Sequence, residues 1–194
     1  MKKLTTIVFL INLILGNAYS MQPDVFVQST VNKASEILSK NISKEEKTNG
    51  LKIIAKETVD IIGVGFYSLG SARKNLNDNQ KQKYFDLFED YFLKSFSSRL
   101  SEYTNPKIEV QSKKIINKNY TIVNSVLVST SNRPEVKIDW RIYTKNPDNP
   151  LIRDLIIEGL SLARTQKEEF ASILSSNNND INILITKLEE FVSN

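Results

Sequence analysis

Apolar residues recur at helical spacing at both ends of the chain and at alternate positions in its middle. Val27, Val31, Ala34 and Leu38 form one stripe of an amphipathic helix. Lys44–Lys47 and Gly50 read as a connection or a short helical turn. Leu51, Ile54, Ala55, Thr58, Val59 and Ile62 then repeat the helical stripe without a break, and Gly63 and Gly65 bend or weaken its end. The longest element, Lys81 to Tyr103, is capped by Asn77 or Asp78. It carries Tyr84, Leu87, Phe88, Tyr91, Phe92, Phe96, Leu100 and Tyr103 on one side and charged residues on the other.

From Pro106 the period changes to two. Ile108 and Val110 alternate with charged residues, and Val136, Ile138, Trp140 and Ile142 alternate with Lys137, Asp139 and Arg141. Ile122, Val126 and Val128 share one face of their run, Val123 and Leu127 the other. Asn117-Lys118-Asn119 and Asn132-Arg133-Pro134 are turn-like breaks between antiparallel neighbours. Leu151 to Ile157 completes about four strands. Leu162 to Leu174 and Ile181 to Val192 return to helical spacing, the latter capped by Asp180. Helices first, a meander next, then helices predicts an α+β domain. Its N-terminal and C-terminal helices cover one face of an antiparallel sheet, with an apolar cavity between.

Residues 1–20, MKKLTTIVFLINLILGNAYS, have a basic start, an apolar run from Leu4 to Leu15, and Ala18 and Ser20 at the −3 and −1 positions of a cleavage after Ser20. This is the architecture of a secretory signal peptide. The run is shorter than the roughly 20 residues a spanning helix needs, and no later stretch is a membrane span. The expectation is a leader over 1–20, a single domain over 21–194, and export. Without Lys2 and Lys3 the chain has 24 basic against 22 acidic residues, a balance that does not argue for nucleic acid.

The chain has no cysteine and no histidine. Disulfides, thiolate chemistry and imidazole-based triads are therefore excluded. Gly63-Val64-Gly65 lacks the preceding strand and the third glycine of a nucleotide-binding loop. Asp154 and Glu158, on an extended strand, stand about 13 Å apart, too far for the carboxylate pair of a glycosidase. No cofactor and no metal is expected, and the chain does not read as an enzyme.

The stretch Asp154 to Phe170, DLIIEGLSLARTQKEEF, preceded by Lys137 to Ile142, KIDWRI, resembles the MlaC or toluene-tolerance family, the periplasmic phospholipid carriers of the Mla pathway. The resemblance extends back through Leu87 to Tyr103, and its specific part is Glu158-Gly159-Leu160-Ser161. Two positions depart from the family pattern: Asp148-Asn149-Pro150 replaces a glycine-tryptophan turn, and Ile152-Arg153 replaces an aromatic residue before the aspartate. The resemblance implies a periplasmic carrier that shuttles glycerophospholipid between outer- and inner-membrane Mla complexes by transient docking. Its acyl chains would be buried between sheet and helices. The lining candidates are Phe66 and Leu69 near the glycine bend, Phe88 and Phe92 on the long helix, Val126, Val128, Ile138 and Trp140 on the sheet, and Ile157 and Leu160, of which Leu160 matches the apolar position of the Glu-Gly-apolar-Ser motif. Two alternatives stand beside it: a secreted scaffold with a solid core, and an enzyme on a similar cone-shaped α+β fold.

Overall fold

The structure, a computed structural model, describes residues 21–194; the expected leader lies outside the described residues. Among the described residues six helices pack with a five-stranded antiparallel sheet. Helices α1 (Pro23–Ser39), α2 (Lys44–Thr58), α3 (Ile61–Ser68) and α4 (Asp78–Leu100) come first, with a 3-10 turn over Gly70–Lys74. Strands β1 (Ile108–Asn117), β2 (Tyr120–Leu127), β3 (Val136–Tyr143), β4 (Leu151–Ile157) and β5 (Leu160–Ser161) follow in meander order. Helices α5 (Leu162–Ser175) and α6 (Ile181–Ser193) close the chain.

The helix starts follow capping chemistry. Ser43 and Glu46 form a reciprocal capping box at α2, and Asn77 and Gln80 form one at α4. The charged run at Lys44 is therefore the first turn of a full helix, because Ser43 satisfies the amides that a loop would leave to water. Gly50 sits inside that helix, where a Cβ would stand 2.8 Å from Ile37 and prevent the close approach of α1.

The stripe from Leu51 to Ile62 is not one helix. Val59 is extended, with φ −106° and ψ 135°, and forms a parallel bridge with Ile152 of β4. Asp60 then caps α3 by accepting from the Gly63 amide at 2.8 Å. A strand partner and an aspartate cap break the helix here, upstream of the two glycines. The break seats the helical layer on β4. Arg153, on the bulge opposite Arg141 and Ile142, fastens it further. Its Nε donates to Asp60 Oδ2 at 2.7 Å, its Nη1 to the Tyr120 hydroxyl at 3.0 Å, and its guanidinium lies 4.1 Å from the Tyr143 ring centroid.

Helix α1 lies over β1 and β2, while α3 and α5 lie against β4. Lys113 donates to Asp24 at 2.7 Å and holds that carboxyl below its ordinary range, so α1 is tied to the outer strand as well as packed on the sheet. Helix α4 packs on α2, α3 and α6. At 1.5 Å per residue it runs about 35 Å.

Candidate functional site

The buried apolar residues fall into two clusters. The helical cluster contains Leu69, Tyr84, Phe88, Leu93, Phe170 and Leu184, with Phe92 and Phe96 partly buried against it. The sheet cluster contains Phe26, Val27, Val31, Val123, Ile138, Trp140 and Ile142, with Val136 and Leu155 against it. Val59 packs against both clusters, at the break between α2 and α3 where it bridges to Ile152 of β4. The interior is thus divided into two apolar clusters, one among the helices and one shared by the sheet and α1, and the seam between them runs past Val59.

Strand register assigns the seam side of the sheet. Trp140 pairs with Val123 and Leu155, and Ile138 with Ser125 and Ile157; directly paired residues share a face. The Trp140 indole Nε1 donates to Ser125 Oγ at 2.9 Å, and that hydroxyl donates to the Ile138 carbonyl at 3.0 Å. The indole's one polar group is thereby satisfied inside an apolar face. Val126 pairs with Lys137 instead, and lies on the opposite face with Asn124 and Asp139, whose side chains bond at 2.8 Å. Val128 lies just past the end of β2, half-buried. The register separates Val126 from the face of Ile138 and Trp140, and Val128 lies beyond the paired residues. The seam residues of β2 are Val123 and Leu127, and those of β4 are Leu155 and Ile157. A one-residue choice of face separates the two sets, and periodicity does not make that choice.

The helical residues also divide. Phe88 is fully buried, with ring centroids of Tyr84, Tyr91, Phe92 and Phe170 between 5.6 and 6.3 Å away. Leu69 is buried as well. Phe66 stands 45% exposed on the outer side of α3, stacked on Phe85 at 6.1 Å with Arg73 over its ring. Gly65 lets α3 approach α4, since a Cβ there would lie 2.7 Å from the Phe88 ring. In the same contact the Tyr84 hydroxyl donates to the Gly65 carbonyl at 3.0 Å. Burial raises its pKa above the usual phenol range, with the nearby Tyr91 adding to the shift, so it stays a donor.

The Glu158-Gly159-Leu160-Ser161 segment is a hairpin that leads into a helix. Glu158 and Gly159 have φ of 50° and 83°, the two positive values that a tight primed turn requires, and Ile157 pairs with Leu160 across it. The Glu158 carboxylate accepts from the Lys137 amide at 2.5 Å and clips the turn to β3. Ser161 caps α5 by accepting from the Arg164 amide at 3.1 Å. Asp154 is buried beneath it, accepting from the Ser161 hydroxyl at 2.6 Å and the Ala163 amide at 3.0 Å. The two carboxylates are therefore not paired with each other: Asp154 is buried, and Glu158 is exposed but held on the Lys137 amide. Each is committed to the backbone that brings β4 into α5, which accounts for the residue pattern without catalysis. Leu160 is left 59% exposed at the tip of the turn.

Two hollows mark the surface. One of about 420 Å³ runs along α1 past Val25, Gln28 and Asn32; the other, about 470 Å³, lies between the end of α4 and the β2–β3 connection. Neither coincides with the seam. Among the described residues no helix is long and apolar enough to cross a membrane, and no cluster of three or more acidic side chains is placed to hold a metal ion.

Comparison with known proteins bears on this arrangement. Residues 28–190 match the sequence model of the family described as MlaC protein. A Haemophilus influenzae protein named intermembrane phospholipid transport system binding protein MlaC is 26% identical over 179 residues, covering 88% of this chain and 82% of that protein. A phospholipid-binding protein of Ralstonia solanacearum, solved in complex with a phospholipid, superposes with a TM-score of 0.75 at 17% identity. That match covers 89% of this chain and 98% of the other, and shows the same fold.

Proposed function

Because this chain belongs to the MlaC family, we propose that it binds phospholipid and carries it across the periplasm, with the acyl chains held along the seam between sheet and helices. The Haemophilus relative bears the name of a phospholipid transport binding protein, and the Ralstonia protein holds a phospholipid in the same fold. The observation that carries the reading is the division of the interior into two clusters. Layers that each pack internally part along their seam at the cost of the contacts between them alone. Acyl chains inserted there replace one apolar neighbour with another.

The physical need for a carrier is large. Two acyl chains of about 30 methylenes, at about 0.8 kcal/mol each, represent roughly 24 kcal/mol of apolar exposure to water. A protein that hides the tails removes that barrier to crossing an aqueous compartment. By the same arithmetic it must hand the tails to a docked partner's apolar channel, in this reading the outer- and inner-membrane Mla complexes. Export on the leader over 1–20, cleaved near Ser20, places the single domain over 21–194 in that compartment. No step of the transfer needs a catalytic group, and Asp154 is already committed to Ser161 and Ala163.

Two positions test the seam directly. Ile157 is half-buried where β4 meets the turn, and Leu160 is exposed at its tip. A carboxylate set against acyl chains has no partner to offset its desolvation. Ile157→Glu and Leu160→Glu are expected to lower phospholipid loading from vesicles by more than about tenfold, measured as bound phosphorus per protein. Wild-type loading in both folded variants would exclude the seam as the binding site.

A further inference from the structure

The hollow of about 470 Å³ beside the sheet is lined by Arg99, Glu102, Tyr103, Thr104 and Arg133. The Arg133 guanidinium lies over the Tyr103 ring, 5.3 Å from its centroid. Its Nε is shielded from solvent and has no hydrogen-bond partner among the described residues. A buried guanidinium donor without an acceptor is costly and uncommon. Neither Arg99 nor Arg133 joins an ion pair among the described residues. The one carboxylate in the lining, Glu102, is drawn outward to Lys44 at 3.5 Å. The hollow therefore has an excess of positive charge and an orphaned donor.

Its walls are held by the backbone. Thr130 and Arg133 exchange hydrogen bonds at 2.8 and 3.3 Å, closing the β2–β3 connection into a tight turn. On the other wall α4 ends in a turn that carries Tyr103 and passes through Asn105 at φ 47°. The site lies at a defined end of the sheet. Leu127 pairs with Val136 at the base of the β2–β3 connection, and two residues further along β3, Ile138 pairs with Ile157. The hollow and the Ile157–Leu160 turn thus share one end of the sheet.

We propose that Arg99 and Arg133 form an anion site that takes a phosphate group. Arginine suits this role because its planar fork can present two parallel N–H donors to phosphate oxygens. Under the carrier reading, on which this part rests, the phosphate is that of the lipid headgroup, held at the end of the seam while the tails lie within it. A phosphate free in solution offers the same oxygens.

The test uses the purified mature chain in two arms. In the first, inorganic phosphate alone is titrated while the Arg133 Nε–H resonance is followed by NMR; a saturable shift that R99Q/R133Q abolishes is expected. In the second, dioleoyl phosphatidylglycerol and dioleoylglycerol compete for the protein in detergent micelles, with bound lipid read by mass spectrometry. Wild type is expected to favour the phospholipid by about tenfold, and R99Q/R133Q to bring the ratio toward one. Phosphate binding with an unchanged lipid ratio assigns the site to a solution anion. Phosphate binding in a protein that loads neither lipid upholds the site and defeats the carrier reading. Lipid loading with no phosphate shift and no preference overturns the site and leaves the carrier reading standing. R133Q alone, with the wild-type titration, decides the matter should the double variant fail to fold.

Discussion

Phe88→Ala is expected to destabilise the protein by about 3–5 kcal/mol, the range for deleting a fully buried aromatic ring. Phe88 is 1% exposed at the centre of the helical cluster, touched by three rings from the preceding and following turns of α4 and by Phe170 of α5. Gly65 of α3 lies against the same ring, so removing it withdraws support from three helices together. The adjacent aromatic rings are too stiff to collapse into the space, which puts the effect high in its range. Chemical denaturation should show the loss as a lower midpoint at unchanged slope. A loss below about 1 kcal/mol would mean that the helical layer is not packed around this ring.

Trp140→Ala should cost a similar amount, about 3–5 kcal/mol, by a different route. The indole fills the seam side of β3, and its Nε1 donates to a Ser125 hydroxyl whose own proton goes to the Ile138 carbonyl. Alanine leaves a cavity between α1 and the sheet and an unfilled acceptor on Ser125. Trp140→Phe keeps most of the volume and removes the donor alone, so its cost should be smaller. Phe88 and Trp140 belong to separate clusters and share no ring contact among the described residues, although Val59 packs against both clusters. The milder pair Phe88→Leu and Trp140→Phe should therefore combine additively, within about 0.5 kcal/mol. A larger coupling would show the two layers to be one continuous core, and the seam would lose its physical basis.

Periodicity carries much of this architecture and stops at identifiable points. Strands β2 to β4 and helices α4, α5 and α6 follow from it, because each buries apolar residues at its own period, whereas β1 is exposed from Gln111 onward and shows the period only at Ile108 and Val110. The break between α2 and α3 does not. Val59 and Asp60 leave the helix because Val59 bridges to Ile152 and Asp60 reaches Arg153, both some ninety positions away. Strand β5 has two residues, too short to show a period, and exists through the turn at Glu158 and Gly159.

The candidate site is legible as a composition and not as a list. Ile138 and Trp140 fall on the seam face, whereas Val126 falls on the other because Lys137 stands opposite it. Val123 and Leu127, read as the other face of their run, and Leu155 stay outside the candidate lining for the same reason: the partner that fixes a strand's face lies on another strand. Arg99 and Arg133 give no local signal. Thirty-four positions separate them, and only the fold brings the end of α4 to the β2–β3 turn.

The most direct test of the carrier claim is native mass spectrometry of the mature protein purified from a bacterial lysate that contains membranes. The account predicts a population heavier than the bare chain by the mass of a phospholipid, and the same lipid recovered on solvent extraction. A single species at the mass of the bare chain, with no extractable lipid, would contradict it.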